Sequence, residues 1–409
     1  MKEDLISSEI QFTAGGARET GLGFAVHRVM RKLVGILLFV FQFGTAIPAV
    51  AAPYCSQVFS DSLIPWGELK EDFPHSTHYT KEIRQETEVK NQCNLGTCHL
   101  HSWLASMESR YTQKTGKVIT LSNQYESAKQ LLARSLDQLH SQNSESKISL
   151  GSGPIQSKNS LLSYGVIPEG VWSPKMPFSQ NPTAAQFKRA LEVIIEDTKA
   201  ARALESSPQR QQEITHEGEV KIHALFQDVV GDLPQSFQWQ GRTWSPQEFA
   251  KTHFGFFAEP VTQMIVRADR KAPETIESLD FDKKITVNID TLEKQARTLI
   301  DHNQTVYVAY VHRRNFVDKA SGIMSIEGFY TPADAKPLTR QQREDMNLYE
   351  LGHHVQIVGY ETDPKTGQVI KWKIRNSWGS QSGDQGYYHM YRDYFRAFVK
   401  SIAYPSSSP

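Results

Sequence analysis

Cysteine is what this chain has least of: three in 409 residues, Cys55, Cys93 and Cys98. An odd count excludes full pairing, so an exported form would keep one thiol free. Charge of one sign is missing as well. Lys and Arg together number 45 and Asp and Glu 45, and no basic block stands out, so nucleic acid is not an expected partner. Internal repeats and low-complexity tracts are absent. Long apolar runs are confined to one place, residues 33–43.

That run follows Arg28, Arg31 and Lys32 and precedes Ala49 and Ala51, which suit the two specificity positions of signal peptidase. It is short for a membrane span, which needs roughly 20 residues, and Gln42 and Pro48 interrupt its continuation. Residues 1–51 are therefore expected to be a leader ending in a signal peptide cleaved after Ala51, with Met30 as the expected true start. A retained anchor is the competing reading. Export, secreted or periplasmic, follows, with no stable membrane association after cleavage. Cys55 lies in a poor context for lipid attachment. One cysteine arrangement bridges Cys55 to Cys93 and leaves Cys98 free; the other keeps all three reduced.

What the chain does have is centred on residues 92–111, QCNLGTCHLHSWLASMESRY. Past a Gly96-Thr97 step the pattern turns helical, with Leu100, Trp103, Leu104, Met107 and Tyr111 on one face. Cys98 opens that helix. There the dipole and the unpaired backbone N–H groups favour negative charge and lower a thiol pKa. The plain alternative is a small buried cysteine.

Downstream, Ser122 precedes a second helix, and residues 151–153 (GSG) precede a third ending near Tyr164-Gly165. Two apolar stripes, Phe187/Leu191/Ile194/Ile195 and Ile222/Leu225/Phe226/Val229, mark core-facing helices. Ser245-Pro-Gln-Glu248 has the form of a capping box. From about residue 284 the pattern changes. A strand is expected to 289, a helix over 291–301 and a strand over 305–311. A hairpin follows, with strands over 354–360 and 369–375 joined by the turn DPKTG, and a last strand over 386–391. Helices early and sheet late make an α+β layout.

The hairpin supplies what Cys98 lacks. His353 begins its first strand and Asn376 ends its second. A thiol needs a base that later protonates the leaving group, and the imidazole needs an orienter, which an Asn oxygen can be. The Cys98 backbone N–H and the Gln92 side-chain amide are candidate donors to a tetrahedral oxyanion. His354 is the rival to His353, and strand alternation puts the two on opposite faces.

Together, VKNQ (89–92), Gly96-Thr97-Cys98, HHVQIVGY (353–360), RNSWG (375–379) and Gly386-Tyr387 resemble the papain-type cysteine peptidases. YGVIP (164–168), WSPQEF (244–249), LTRQQ (338–342), KWKIRN (371–376), SGDQGY (382–387) and a long insert resemble the bleomycin hydrolase and aminopeptidase C branch. The resemblance covers roughly residues 75–400. It implies a two-lobe fold, with a helical left lobe, a β-barrel-like right lobe and a helical insertion over about 180–280. It implies Cys98 as nucleophile, His353 as base, Asn376 as orienter and Gln92 in the oxyanion hole, with Trp378 shielding the His–Asn contact. Gly151, Ser152, Gly153 and His354 are implied to line the substrate site. No cofactor or metal is expected; the partner is a peptide or protein substrate.

The chain departs from that branch in several places. His99 stands where the branch has a tryptophan, with His101 two positions on. These imidazoles either shift the thiol pKa or, the favoured reading, fill the wall of the site. Ser152 interrupts a glycine pair and narrows the cleft, and His354 replaces a small residue. Residues 52–74 form an extension too short for an inhibitory propeptide, and residues 401–409 are expected to be a flexible tail. The cleft-entering C-terminal arm of the branch looks truncated, and its cytosolic hexamer does not suit an exported chain. The expected activity is peptide-bond hydrolysis through an acyl-thioester. The alternatives are a catalytically silent peptide-binding homologue, and a transpeptidase or deamidase on the same scaffold.

Overall fold

Helix α1 (Cys98–Thr115) is enclosed on almost every side. A computed structural model describes the chain at residues 66–93, 95–177, 183–266, 275–279, 282–330 and 352–408. The leader, Cys55 and the LTRQQ segment lie outside the described residues. The apolar face of α1 packs as the pattern predicts, with Leu100, Trp103, Leu104, Met107 and Tyr111 all buried. Its other face is polar yet also buried, because the sheet offers partners. Ser102 Oγ donates to the Val355 carbonyl at 2.9 Å, and Gln356 Nε2 donates to Ser106 Oγ at 3.1 Å. Glu108, buried in the same helix, accepts from Thr87 Oγ1 at 2.6 Å and from the Leu121 N–H at 2.8 Å. A helix buried all round needs this pairing of its polar side chains, since each unpaired one would cost about 1–3 kcal/mol.

Around α1 lie α2 (Asn123–His140) and α3 (Pro154–Tyr164). Beyond them are α4 (Thr183–Ala203), α5 (Pro208–Val229) and α6 (Pro246–Phe254). Ser122, Ser207 and Ser245 cap α2, α5 and α6, each side chain accepting an N–H of the first turn. Each such cap is worth about 1 kcal/mol. The two stripes of α4 and α5 meet in a core where Phe187 and Phe226 contact edge to face at 5.0 Å.

The second lobe is one ten-stranded mixed sheet. Its strands are β1 (Lys81–Glu82), β4 (Val261–Val266), β5 (Thr275–Leu279), β6 (Asp282–Val287), β7 (Val306–Val311), β8 (Ile323–Met324), β9 (Gly352–Thr362), β10 (Val369–Arg375), β11 (Tyr387–Tyr391) and β12 (Val399–Pro405). They run β5-β6-β4-β12-β7-β9-β10-β11-β8, with β1 pairing β9. The pairs are antiparallel except β4–β6 and β11–β8. Helices α7 (Ile289–Asp301) and α8 (Arg392–Phe398) pack on the sheet. Their core holds Leu292, Leu299, Trp372 and Phe395, each contributing about 1.5–3 kcal/mol by burial. The expected helix over 291–301, the hairpin and the last strand all form, with ends shifted by a residue or two.

Two expectations are corrected. Residues 401–405 are not a flexible tail. They belong to β12, which lies between β4 and β7, with Ile402 opposite both Met264 and Val308. Beyond it the Ser406 N–H donates to the Pro260 carbonyl at 2.7 Å and Ser407 Oγ to Glu259 Oε2 at 2.5 Å. The interval 180–280 is not helical throughout. It contains β4, β5 and a small hairpin of β2 (Phe237–Trp239) and β3 (Arg242–Trp244), whose aromatic residues Phe237, Trp239 and Trp244 suit a strand. Residues 66–74, the described part of the expected N-terminal extension, pack on the second lobe. The Gly67 N–H donates to the Arg314 carbonyl at 2.9 Å, and Phe73 packs edge-on against Tyr391 at 4.8 Å. Among the described residues no helix is long and apolar enough to cross a membrane, and no cluster is arranged to hold a metal ion.

Candidate active site

The chain enters α1 through Gly96, whose φ of 73° is a conformation that costs glycine little. Cys98 follows as the first helical residue, buried. Its thiol faces the backbone N–H groups of His354, His99 and Cys98 itself and the Gln92 side chain. Burial pushes the thiol up to about 11, while those four donors pull it the other way. The amides of the helix start favour the thiolate, but burial outweighs them, so the lowered thiol pKa expected from the sequence is not what the structure gives.

Gln92 is held from the opposite lobe. Its N–H donates to the Ser377 carbonyl at 2.8 Å, and its Oε1 accepts from Ser377 Oγ at 2.5 Å. With the amide oxygen engaged, the amide nitrogen is the atom left to face Cys98. Ser377 was missed in the sequence reading, although it sits inside RNSWG. Its signal was a hydroxyl beside the orienter.

Strand β9 brings both histidines. His353 Nε2 lies 2.7 Å from Asn376 Oδ1, and the same oxygen accepts the Ser377 N–H at 2.8 Å. The Asn376 N–H donates to the Gly386 carbonyl at 3.1 Å. An amide oxygen only accepts, so the His353 proton sits on Nε2 and Nδ1 carries the lone pair. Trp378 stacks on the ring at 4.5 Å and 13°. Burial lowers His353 to about 4, against which the Asn376 bond raises it. His312 was not anticipated either. It is buried, meets Trp378 edge-on at 4.9 Å, lies 6.1 Å from His353, and is backed by Trp66 at 5.9 Å.

His354 takes the other face of β9, as alternation requires, with Nδ1 2.6 Å from the Tyr307 hydroxyl. His99 is fully buried and bonded at both nitrogens: Nε2 to the Leu150 carbonyl and Nδ1 to Ser157 Oγ, each at 2.7 Å. Burial lowers it to about 4, so it is neutral and ties α1 to the segment leading into α3. It fills the wall. His101 is likewise buried, lowered to about 3, and meets Asn123 Nδ2 at 3.1 Å. Gly151, Ser152 and Gly153 follow Leu150 directly and are at least partly exposed beside this wall. Cys93 is disulfide-bonded and Cys98 is free; Cys55 lies outside the described residues. A polar cavity of about 460 Å³ between residues 82–87, Glu108 and Asn303 contains none of the residues bearing the chemistry.

Comparison with known proteins places this geometry. The sequence model of the peptidase C1-like family matches residues 157–405, a span that holds His353 and Asn376 and begins after Cys98. Cysteine proteinase 1, mitochondrial, of Saccharomyces cerevisiae is 24% identical over 278 residues, covering 60% of this chain and 56% of that protein. Aminopeptidase W of Lactobacillus delbrueckii subsp. lactis is 23% identical over 273 residues, covering 59% of this chain and 60% of that protein. The chain thus spans less than two thirds of the length of these relatives. The crystal structure of PepW from Lactobacillus rhamnosis HN001 superposes with a TM-score of 0.64 at 17% identity, covering 95% of this chain and 93% of that one. That likeness is one of fold, and it is the papain-like two-lobe fold.

Proposed function

This chain belongs to the peptidase C1-like family, and on that premise we propose that it is a cysteine peptidase. It hydrolyses peptide bonds with Cys98 as nucleophile, His353 as base, Asn376 as orienter and Gln92 in the oxyanion hole. The observation that carries this reading is the 2.7 Å contact of His353 Nε2 with Asn376 Oδ1. It assigns the ring proton to Nε2 and leaves Nδ1 as the base.

Burial alone favours a neutral thiol at Cys98 and a neutral imidazole at His353. The thiol proton therefore passes to His353 Nδ1 as sulfur bonds to the substrate carbonyl carbon. The carbonyl π pair moves onto oxygen, where the Cys98 N–H and the Gln92 amide receive it. Collapse breaks the C–N bond, and the imidazolium gives its proton to the leaving amine. Water then attacks the thioester, losing a proton to His353, and the acid product leaves as sulfur regains its proton.

The test is kinetic and chemical together. Cys98→Ala is expected to abolish both hydrolysis of a peptide library and stoichiometric labelling by an epoxysuccinyl inhibitor. Hydrolysis at the wild-type rate in that variant would rule Cys98 out as the nucleophile. Absence of both labelling and hydrolysis in the wild type would instead support the silent binding homologue, and amide-exchanged products a transpeptidase. Export is part of the proposal and rests on the Arg28–Ala51 pattern in the sequence. Sequencing the N-terminus of the extracytoplasmic protein should return Ala52; a chain retained inside the cell with an intact leader refutes export.

A further inference from the structure

The cysteine-peptidase reading gives no part to His312 or to the residues ahead of Lys81, yet a row of rings joins them to the base. Trp66 meets His312 at 5.9 Å and 71°. His312 meets Trp378 at 4.9 Å and 88°. Trp378 stacks on His353 at 4.5 Å and 13°.

His312 directly follows β7 and is 8% exposed. Its Nε2 is buried with no hydrogen-bond partner among the described residues, and its Nδ1 lies 3.3 Å from the Tyr310 hydroxyl. Burial first, then His353 and Arg314, hold it well below the usual imidazole range, so the ring is neutral. A buried nitrogen left unsatisfied costs stability, a cost that an aliphatic side chain would avoid. What the flat ring supplies instead is a perpendicular contact with the indole of Trp378, an arrangement aromatic pairs favour.

Trp66 is fixed in turn. Arg314 and Lys319 place their cations over its ring at 5.0 Å and 5.8 Å. The next residue, Gly67, donates its N–H to the Arg314 carbonyl at 2.9 Å. The approach is so close that an added Cβ would lie 2.3 Å from the Asn315 carbonyl oxygen. Further along, the Lys70 N–H donates to the Gly328 carbonyl at 2.9 Å and the Tyr330 N–H to the Glu68 carbonyl at 3.2 Å. The extension is thus docked along residues 314–330 with Trp66 against His312.

We propose that Trp66 is a positioning residue for the base, acting through His312 on Trp378. When His353 takes the thiol proton, its ring becomes a cation over the indole face, and that attraction depends on the alignment of the two rings. The N-terminal extension then forms part of the active site, and trimming the chain past Trp66 lowers turnover. This rests on the cysteine-peptidase reading.

The test measures kcat and KM on one peptide for the wild type, Trp66→Ala, Trp66→Phe, His312→Leu and the Trp66→Ala/His312→Leu double variant, beside their melting temperatures. Trp66→Ala and His312→Leu should each lose about three- to tenfold in kcat with KM unchanged, the range of a cation–π contact. Trp66→Phe should keep most of the rate. The double variant should lose no more than the worse single one, since both act through Trp378. His312→Leu also removes the unsatisfied nitrogen, so a lost rate at an undiminished melting temperature separates positioning from folding. Proton NMR gives a second readout: the carbon-bound ring protons of His353 lie over the indole and are shifted upfield by its ring current, and Trp66→Ala should move them downfield. Additive losses, a loss confined to KM, or a wild-type kcat in Trp66→Ala overturns the inference. Wild-type protein that labels at Cys98 yet cleaves no peptide overturns the peptidase reading instead; the His353 signal then decides the positioning alone, and one left unmoved in Trp66→Ala refutes it.

Discussion

Replacing Asn376 by Ala should slow hydrolysis by about 10- to 150-fold, far less than losing His353. The figure follows from the two bonds that Asn376 Oδ1 accepts, from His353 Nε2 at 2.7 Å and from the Ser377 N–H at 2.8 Å. The Ser377 bond is the same in the ground and transition states, so its loss appears only as stability, about 1–3 kcal/mol for a buried donor left unpaired. The His353 bond is different. As the ring takes the thiol proton it becomes an imidazolium, and a hydrogen bond to a charged group is worth about 1.5–3 kcal/mol. At about 1.4 kcal/mol per decade, that is the stated range. Trp378, stacked at 4.5 Å, keeps the ring plane in place without the amide. His353→Ala removes the base itself and should cost at least about 10⁴-fold.

The assay is kcat/KM on one peptide substrate for the wild type and both variants, beside their melting temperatures. The pH arm has a defined sign. The Asn376 bond raises the His353 pKa against burial, so its removal lowers that pKa. The acid limb, where the base must be unprotonated, then moves to lower pH. Equal losses in the two variants at equal melting temperature would refute the assigned roles, and a wild-type rate in Asn376→Ala would show that the bond is idle.

Acid should destabilise the fold below about pH 6.5. Burial depresses His99, His353 and His389 to about 4 and His101 and His354 to about 3. The unfolded chain therefore binds more protons as pH falls from about 6.5 to 4, and stability present above that window is lost through it. Glu126, raised by burial, works in the opposite sense but is one group against five; a melting temperature unchanged from pH 7 to pH 4.5 would refute this. Gly386→Ala should cost more than about 2 kcal/mol by denaturant titration and reduce activity. Its φ is +90°, and an added Cβ would lie 2.6 Å from Val89 Cβ, beside the carbonyl that accepts the Asn376 N–H. Wild-type stability there would contradict the packing described.

The helix of Cys98 and the hairpin of His353 and Asn376 were legible in sequence because each is a local pattern. The periodic face of α1 lies within one helix, and β9 and β10 are joined by a short turn. Other features had no local signal. The partners of β12 are Met264 and Val308, far away in the chain, and Lys400 and Ser401 break its apolar run. Strands β4 and β5 were hidden because the helices before them set the expectation for the whole insert. Within the site, residue types were readable but partners were not. His99 was expected to fill the wall, but the partners that hold it there, Leu150 and Ser157, carried no signal of their own. Tyr307 carried no motif at all.

The place of β12 also orders assembly in time. Without it the sheet falls into two blocks, β5-β6-β4 and β7-β9-β10-β11-β8, with no other strand among the described residues joining them. Synthesis delivers β12 after both blocks, so the facing edges of β4 and β7 stay unpaired until residues 399–405 leave the ribosome. Unpaired edges invite pairing with other chains. A product stopped after Phe398 would keep Cys98, His353, Asn376 and Gln92 and still lack the strand that joins the two blocks of the sheet.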